Sequence, residues 1–181
     1  MSWGRGQRFG SDSLSLQKSQ KKQAAENVCG GGNLQVIGAI IVAHALVGKG
    51  LIAAAEYLVG KIEGIEAISM DSQPNAFETR KTIITAMEKV DQGEGILLLT
   101  DFSEGSTANI AFSLLVQEKV EVITGVNLPM LLTFWNKRET HTLREVAKAV
   151  QLSGLRSINR AKTLMEIKSE ASRPQSGASE K

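Results

Sequence analysis

Two side chains suited to nucleophilic chemistry follow directly on apolar runs of strand length. His44 follows QVIGAIIVA (35–43), and Asp101 follows GILLLT (95–100). A carboxylate that accepts a hydrogen bond from Nδ1–H of an imidazole fixes the tautomer whose lone pair is on Nε2, and it stabilises the ring once the ring becomes cationic. If the two runs are neighbouring strands, His44 and Asp101 therefore form a nucleophile with an orienting acid.

The segment after Asp101 predicts an anion site. It reads FSEGSTAN and leads into a helical pattern, which places Gly105, Ser106 and Thr107 at a helix N-terminus. Backbone N–H groups and hydroxyls at that position suit a phosphate, and Ser106 or Thr107 is also a candidate cap for the helix. An imidazole nucleophile, an orienting carboxylate and an anion cradle together indicate phosphoryl transfer to and from histidine.

The elements that position these residues follow from hydrophobic periodicity. Four runs of strand length alternate with segments of helical period. The strands are predicted at 35–43, 65–70, 95–100 and 120–124, and the helices at 50–59, 76–90, 106–119, 131–136 and 143–150.

Several helix ends carry recognisable signals. Gly60 is a plausible stop for the first helix. Two pairs have the spacing of capping boxes: Asn75 with Glu78, and Thr142 with Glu145. Pro129 suits the first turn of a helix. The second helix is expected to bury a face that contains Phe77, Ile84 and Met87.

This alternation predicts a doubly wound α/β domain with a mainly parallel four-stranded sheet in the order 2-1-3-4 and helices on both faces. Ligands of such domains bind outside the carboxyl ends of the strands where the winding direction reverses. That point lies between the first and third strands, so His44 and Asp101 are expected to face each other across it.

Composition divides the 181 residues into a folded body and two basic tails. Residues 1–33 carry five basic and two acidic groups and are rich in Gly, Ser and Gln, which predicts a disordered arm. The folded domain is expected at 34–158, and residues 159–181 are expected to form an extension that is flexible at its end. Because the middle of the chain is net acidic, we do not expect nucleic-acid binding from the pI of about 8.7.

Other classes of function have little support in the sequence. A single Cys29 and two separated histidines form no metal site, and no dinucleotide or P-loop fingerprint is present, so no cofactor is expected. Cys29 cannot form an internal disulfide, and the longest apolar stretch is too short to span a bilayer; both observations fit a cytoplasmic protein. His141 reads as an exposed loop residue, Lys49 as an exposed first-turn residue, and Trp135 as a half-buried helix aromatic.

Residues 37 to about 158 resemble the IIA domain of the mannose/fructose-type sugar phosphotransferase system. The stretches IIVAHALVGKGLIAAAEYLVG, GILLLTDFSEGSTANIA and EVITGVNLPMLL match the family's active-site His segment, its strand-end Asp loop and its Gly-Val-Asn-x-Pro-Met segment in order and spacing. The resemblance implies that His44 is phosphorylated, that Asp101 orients it, and that Ser106 with neighbouring loop amides holds the phosphoryl group.

The resemblance also implies partners. Such domains take phosphate from the phosphocarrier HPr, pass it to a IIB domain or protein, and act on membrane permease subunits only indirectly. They are typically homodimers in which an additional antiparallel C-terminal strand is exchanged, for which LRSINRAKTL (155–164) is the candidate here. Sugar specificity is not expected to be encoded in this chain, because the membrane subunits contact the sugar.

Two departures from the family pattern stand beside the site. Ala45 follows the histidine where glycine is frequent, and Glu104 stands where glycine is common, which adds a carboxylate near the phosphate cradle. Two alternatives of function stay open: a phosphoryl donor for dihydroxyacetone kinase, and a regulatory sensor that binds partners according to its phosphorylation state.

Overall fold

The computed structural model describes residues 36–70, 75–115 and 119–162. The predicted N-terminal arm and most of the C-terminal extension lie outside these residues. No helix within the described ranges is long and apolar enough to cross a bilayer.

Strands and helices alternate along the described chain and end with two consecutive helices. The elements are β1 (Gly38–His44), α1 (Val47–Val59), β2 (Ile65–Met70), α2 (Ala76–Val90), β3 (Ile96–Thr100), α3 (Ser106–Ser113), β4 (Val120–Thr124), α4 (Leu128–Lys137) and α5 (Leu143–Arg156).

The four strands form one parallel sheet in the order β2-β1-β3-β4. This confirms the predicted doubly wound topology. In the central pair, Val42 of β1 is level with Thr100 at the end of β3, so His44 and Asp101 both lie just beyond the paired region, at the carboxyl edge.

Both faces of the sheet are covered, which explains why β1 and β3 are apolar without alternation. Ala39, Ile41 and Ala43 pack with α1, α4 and α5, whereas Ile40 and Val42 pack with α2 and α3. Each fully buried Ile or Leu contributes about 1.5–3 kcal/mol of transfer free energy, so the central strands form a firm base for the residues at their ends.

The opposite, amino-terminal edge of the sheet is tied together by Arg138. Its guanidinium donates to the carbonyl of Glu63 and lies 5.6 Å from the centroid of the Phe134 ring, and its own carbonyl accepts from N–H of Ile37. Burial lowers the pKa of Arg138, and the nearby Glu139 and Glu63 oppose that shift. The segment between α4 and α5 is thereby fixed at the edge far from His44.

Most predicted helix ends are confirmed. Gly60 terminates α1 with φ of 89°, Asn75 caps α2, and Pro129 lies in the first turn of α4. Thr142 and Glu145 form the full capping box of α5.

Three expectations of the sequence are wrong. Phe77 is 74% exposed; α2 buries Met87 as expected, together with Ile83, Ala86 and Val90, and its buried stripe begins nearly two turns after Phe77. The N-cap of α3 is Gly105, with no side-chain cap bond, so neither Ser106 nor Thr107 has that role. The same helix ends at Ser113 rather than continuing to residue 119; residues 116–118 lie outside the described part of the chain.

The candidate C-terminal strand (155–164) is helical at its start, since α5 extends to Arg156. Residues 158–160 have no regular structure, and positions 163 and 164 are outside the described ranges. An exchanged strand in a dimer stays a prediction.

Candidate active site

His44 and Asp101 meet at the carboxyl edge of the sheet. Nδ1 of the imidazole lies 3.0 Å from Oδ2 and 3.3 Å from Oδ1 of the carboxylate. The backbone N–H of His44 also donates to Oδ2, over 2.8 Å. The same carboxylate oxygen therefore fixes both the main chain and the ring of the histidine, as predicted from the order of the strands.

The geometry determines which nitrogen is free to react. An ionised carboxylate only accepts hydrogen bonds, so the ring proton is placed on Nδ1 and the lone pair on Nε2. The His44 side chain is 55% exposed, whereas that of Asp101 is 15% exposed. The acid is thus held within the protein while the ring is open to an incoming group.

The turn after β1 is strained at Ala45. This residue has φ of 48° and is the one non-glycine residue with positive φ in the described ranges. An alanine in the left-handed region costs about 1–2 kcal/mol. The departure noted in the sequence therefore has a local structural cost, paid directly beside His44.

The loop after Asp101 leads into an uncapped helix N-terminus. Gly105 adopts φ of 91°, a conformation that glycine adopts at little cost, and α3 begins at the next residue. Gly105, the N-cap, has no side chain that could bond to the first amides of α3, and a helix N-terminus of this kind suits an anion. The side chains of Ser106 and Thr107 are not among those described, so their contact with a phosphate stays a prediction.

Exposed apolar side chains border the histidine and the aspartate. Leu46 is 70% exposed, Val47 44% and Phe102 56%. Lys49 and Glu104 are also exposed, as expected for a first-turn residue and a loop residue. The site is therefore set in a surface with both apolar and charged groups, not in a closed cavity.

Sequence reasoning gave no role to Thr100, the residue before Asp101. It is fully buried, and its hydroxyl donates to the carbonyl of Phe102 over 2.9 Å. The available signal was a hydroxyl at the end of an otherwise apolar run.

The second histidine lies elsewhere. His141 is exposed in the segment between α4 and α5, where Nδ1 is 2.8 Å from Oγ1 of Thr140 and Nε2 is 3.2 Å from Nζ of Lys137. Trp135 is half-buried against the core, in agreement with its interpretation from the sequence. Within the described ranges, no group of three or more His, Cys, Asp or Glu side chains could hold a metal.

Comparison with known proteins shows what the folded domain is similar to. The sequence model of a family described as "PTS system fructose IIA component" matches residues 38–151, a range that contains both His44 and Asp101. The chain is 34% identical over 96 residues to the "PTS system mannose-specific EIIAB component" of Escherichia coli (strain K12), and the protein of that name in Shigella flexneri matches equally. These matches cover 52% of this chain but only 30% of either relative's length.

Solved structures support the fold. The phosphotransferase system component EIIA from Streptococcus agalactiae superposes with a TM-score of 0.64 at 24% identity, covering 70% of this chain and 98% of that one. The mannose/sorbose specific IIA subunit from Enterococcus faecalis gives 0.61 at 18% identity, covering 69% and 94%. With the sheet order, the histidine and aspartate at its edge and a family match over most of the folded domain, the chain belongs to the EIIA-man family, the fructose/mannose-type IIA components of the phosphotransferase system.

Proposed function

We propose that this chain is a phosphoryl-relay subunit of a sugar phosphotransferase system, which accepts phosphate from phospho-HPr on His44 and passes it to a IIB component. The observation that carries the proposal is the bond from Nδ1 of His44 to Asp101, because it leaves the lone pair on Nε2 of a ring whose side chain is 55% exposed. Family membership supports the same class of chemistry.

The proposed step is an in-line displacement at phosphorus. Nε2 of His44 forms a bond to the phosphoryl group while the P–N bond to the donor imidazole breaks, and the donor ring keeps the electron pair of that bond. Positive charge develops on the His44 ring, and the carboxylate of Asp101 stabilises it through Nδ1–H. Transfer to the acceptor repeats the step in the opposite sense.

The start of α3 supports an anion beside the ring. Its N-cap residue, Gly105, supplies no side-chain cap, and the partial positive charge of a helix N-terminus favours the phosphoryl oxygens. Gly105, Ser106 and Thr107 are the residues that we propose contact these oxygens. Glu104 next to them opposes the anion by charge, which should slow phosphorylation.

Direct transfer between two protein side chains requires that the partners touch. The rim of Leu46, Val47 and Phe102 is what a phosphocarrier would contact when its histidine reaches His44. Exposed apolar groups of this kind are common at interaction surfaces. We therefore assign HPr and the IIB component to the same face and link membrane permease subunits to this chain only through IIB.

We also propose a homodimer, with the open side of β4 as the contact. In the described ranges β4 pairs only with β3, and a groove of about 720 Å³ lies between β4 and α5. The groove is lined by three exposed apolar side chains: Phe112 (40% exposed), Leu155 (64%) and Ile158 (80%).

Sedimentation velocity tests the dimer. The wild type should sediment as a dimer, and Ile158→Glu should convert it to a monomer. Tyr57→Glu, at an exposed position on α1, should leave the dimer intact.

Phosphate transfer from radiolabelled phosphoenolpyruvate through enzyme I and HPr tests the relay. The wild type should acquire an acid-labile phosphate, His44→Ala should acquire none, and His141→Ala, a matched exposed histidine, should be labelled normally. Equal labelling of His44→Ala refutes the assignment. Adding a IIB protein or a dihydroxyacetone kinase as acceptor separates the two donor functions, because the label should leave His44 only with the correct acceptor. If the label stays on the chain with both acceptors, and phosphorylation changes which proteins the chain captures, the sensor is favoured.

A further inference from the structure

A buried hydroxyl lies next to the orienting acid and has no part in the relay step described above. Thr100 closes β3 and is fully buried. Its hydroxyl donates to the carbonyl of Phe102 over 2.9 Å, and its own carbonyl accepts from N–H of Val126 over 2.9 Å. The first of these bonds spans Asp101, because it joins the residue before it to the residue after it.

We propose that the Thr100 hydroxyl is a positioning group that holds the carboxylate of Asp101 against His44; its effect on transfer rests on the proposed function. The loop from Asp101 to Gly105 leaves the sheet beyond the last strand pairing. The hydroxyl bond is the constraint that closes the main chain around Asp101 at this point. Without it, the main chain after Asp101 loses this anchor, and the carboxylate is placed by its bonds to His44 and by the Val126–Thr100 bond on the other side.

The burial of the hydroxyl gives this bond its importance. Because the hydroxyl has no exposed surface, a water molecule cannot take its place, and a substitution that removes it leaves the carbonyl of Phe102 without a donor in its present position. Since Phe102 is 56% exposed, we expect its main chain to move until the carbonyl bonds to water, and Asp101 to move with it. A shift of this kind changes the tautomer of His44 more than it changes the core.

The test uses two substitutions that remove the hydroxyl and one that keeps it. Thr100→Val preserves the volume, and Thr100→Ala and Thr100→Ser differ from each other only in the hydroxyl. We expect Thr100→Val and Thr100→Ala to lower the rate of phosphorylation by phospho-HPr about 3- to 10-fold, as for the loss of one hydrogen bond, and Thr100→Ser to restore it. Should Thr100→Val fail to fold, the Ala and Ser pair decides.

Two readouts distinguish positioning from general support of the fold. In the Asp101→Ala background, Thr100→Val should change the rate by less than about twofold, because the group it positions is gone. Long-range ¹H–¹⁵N spectra above the titration range of histidine should show that the Nδ1–H tautomer of His44 predominates in the wild type and in Thr100→Ser, and decreases in Thr100→Val.

The proposal is overturned if the tautomer populations are unchanged in Thr100→Val and Thr100→Ala, or if Thr100→Val costs the same factor with and without the Asp101 carboxylate. The spectra need no phosphoryl donor. If the wild type takes no phosphate from HPr, the relay fails while the spectra still decide the role of Thr100.

Discussion

Replacing Asp101 by asparagine should separate the charge of the orienting group from its geometry. The backbone N–H of His44 donates to Oδ2 over 2.8 Å, which requires an oxygen at that position. The amide of Asp101→Asn is therefore held with its oxygen toward both N–H and Nδ1–H, and its NH₂ group takes the place of Oδ1, 3.3 Å from Nδ1. The variant should keep the ring orientation and lose only the negative charge.

The expected loss follows from the distance and the exposure. Two unit charges 3.0 Å apart, the Nδ1–Oδ2 distance, attract by about 1.4–2.8 kcal/mol at an effective dielectric constant between about 80 and 40. A dielectric constant in this range is appropriate because the ring is 55% exposed and the acid beside it is 15% exposed. Because the charge on the ring develops only as the bond to phosphorus forms, the rate should fall about 10- to 100-fold.

Rapid-quench measurement of transfer from phospho-HPr checks this value. Asp101→Ala, which removes the geometry as well, should be slower than Asp101→Asn, and both should unfold within a few degrees of the wild type. Wild-type rates in Asp101→Asn would show that the charge has no part in the step. Equal rates in the two variants would show that the negative charge accounts for the whole contribution of Asp101.

Three further predictions concern the backbone and the caps. Ala45→Gly should raise the free energy of unfolding by about 0.5–1 kcal/mol in denaturant titrations, since it removes left-handed strain but adds freedom to the unfolded chain; a loss of stability would contradict the strain. Gly38→Ala should lower the free energy of unfolding by about 1–3 kcal/mol, because its Cβ would lie 2.5 Å from a backbone oxygen of α2. Gly50→Ala, at a position in α1 with open space around it, should raise the free energy of unfolding by about 0.5–1 kcal/mol in the same titrations. Thr142→Ala should cost about 1 kcal/mol at neutral pH. The backbone N–H and the hydroxyl of Thr142 both donate to Glu145 and lower its pKa, so this carboxylate contributes stability above its unfolded pKa that disappears as pH falls through the folded value. Thr142→Ala keeps the backbone bond and removes the hydroxyl's part of the shift. Its deficit should therefore shrink in acid, and a deficit that is constant with pH would exclude coupling through the hydroxyl.

The central features of the site could be predicted because they depend on the order of the strands in the sheet, which the sequence indicates clearly. Continuous apolar runs separated by helices fix a parallel sheet, and the sheet order alone brings His44 and Asp101 to one edge. Local details were less accessible. Phe77 has the spacing of a buried residue but stands before the part of α2 that packs on the sheet, and a glycine with positive φ precedes α3 where hydroxyl residues were expected to cap it. The role proposed for Thr100 depends on a bond across Asp101 and on complete burial, and neither can be inferred from the sequence alone.

The difference in exposure between the two members of the pair suits a relay better than a hydrolytic enzyme. A relay must receive a phosphoryl group from one protein and release it to another, so the nucleophile has to reach beyond the surface while its orientation stays fixed. Asp101 meets the second requirement from within the protein, through two bonds to the same residue, and His44 meets the first with more than half of its side chain in solvent. A closed site would hold the phosphoryl group more tightly, and tighter binding of the intermediate raises the barrier to the second transfer. Among the described residues, Asp101 is the carboxylate that bonds to the ring, and an open site of this kind is consistent with binding that stays weak enough for onward transfer.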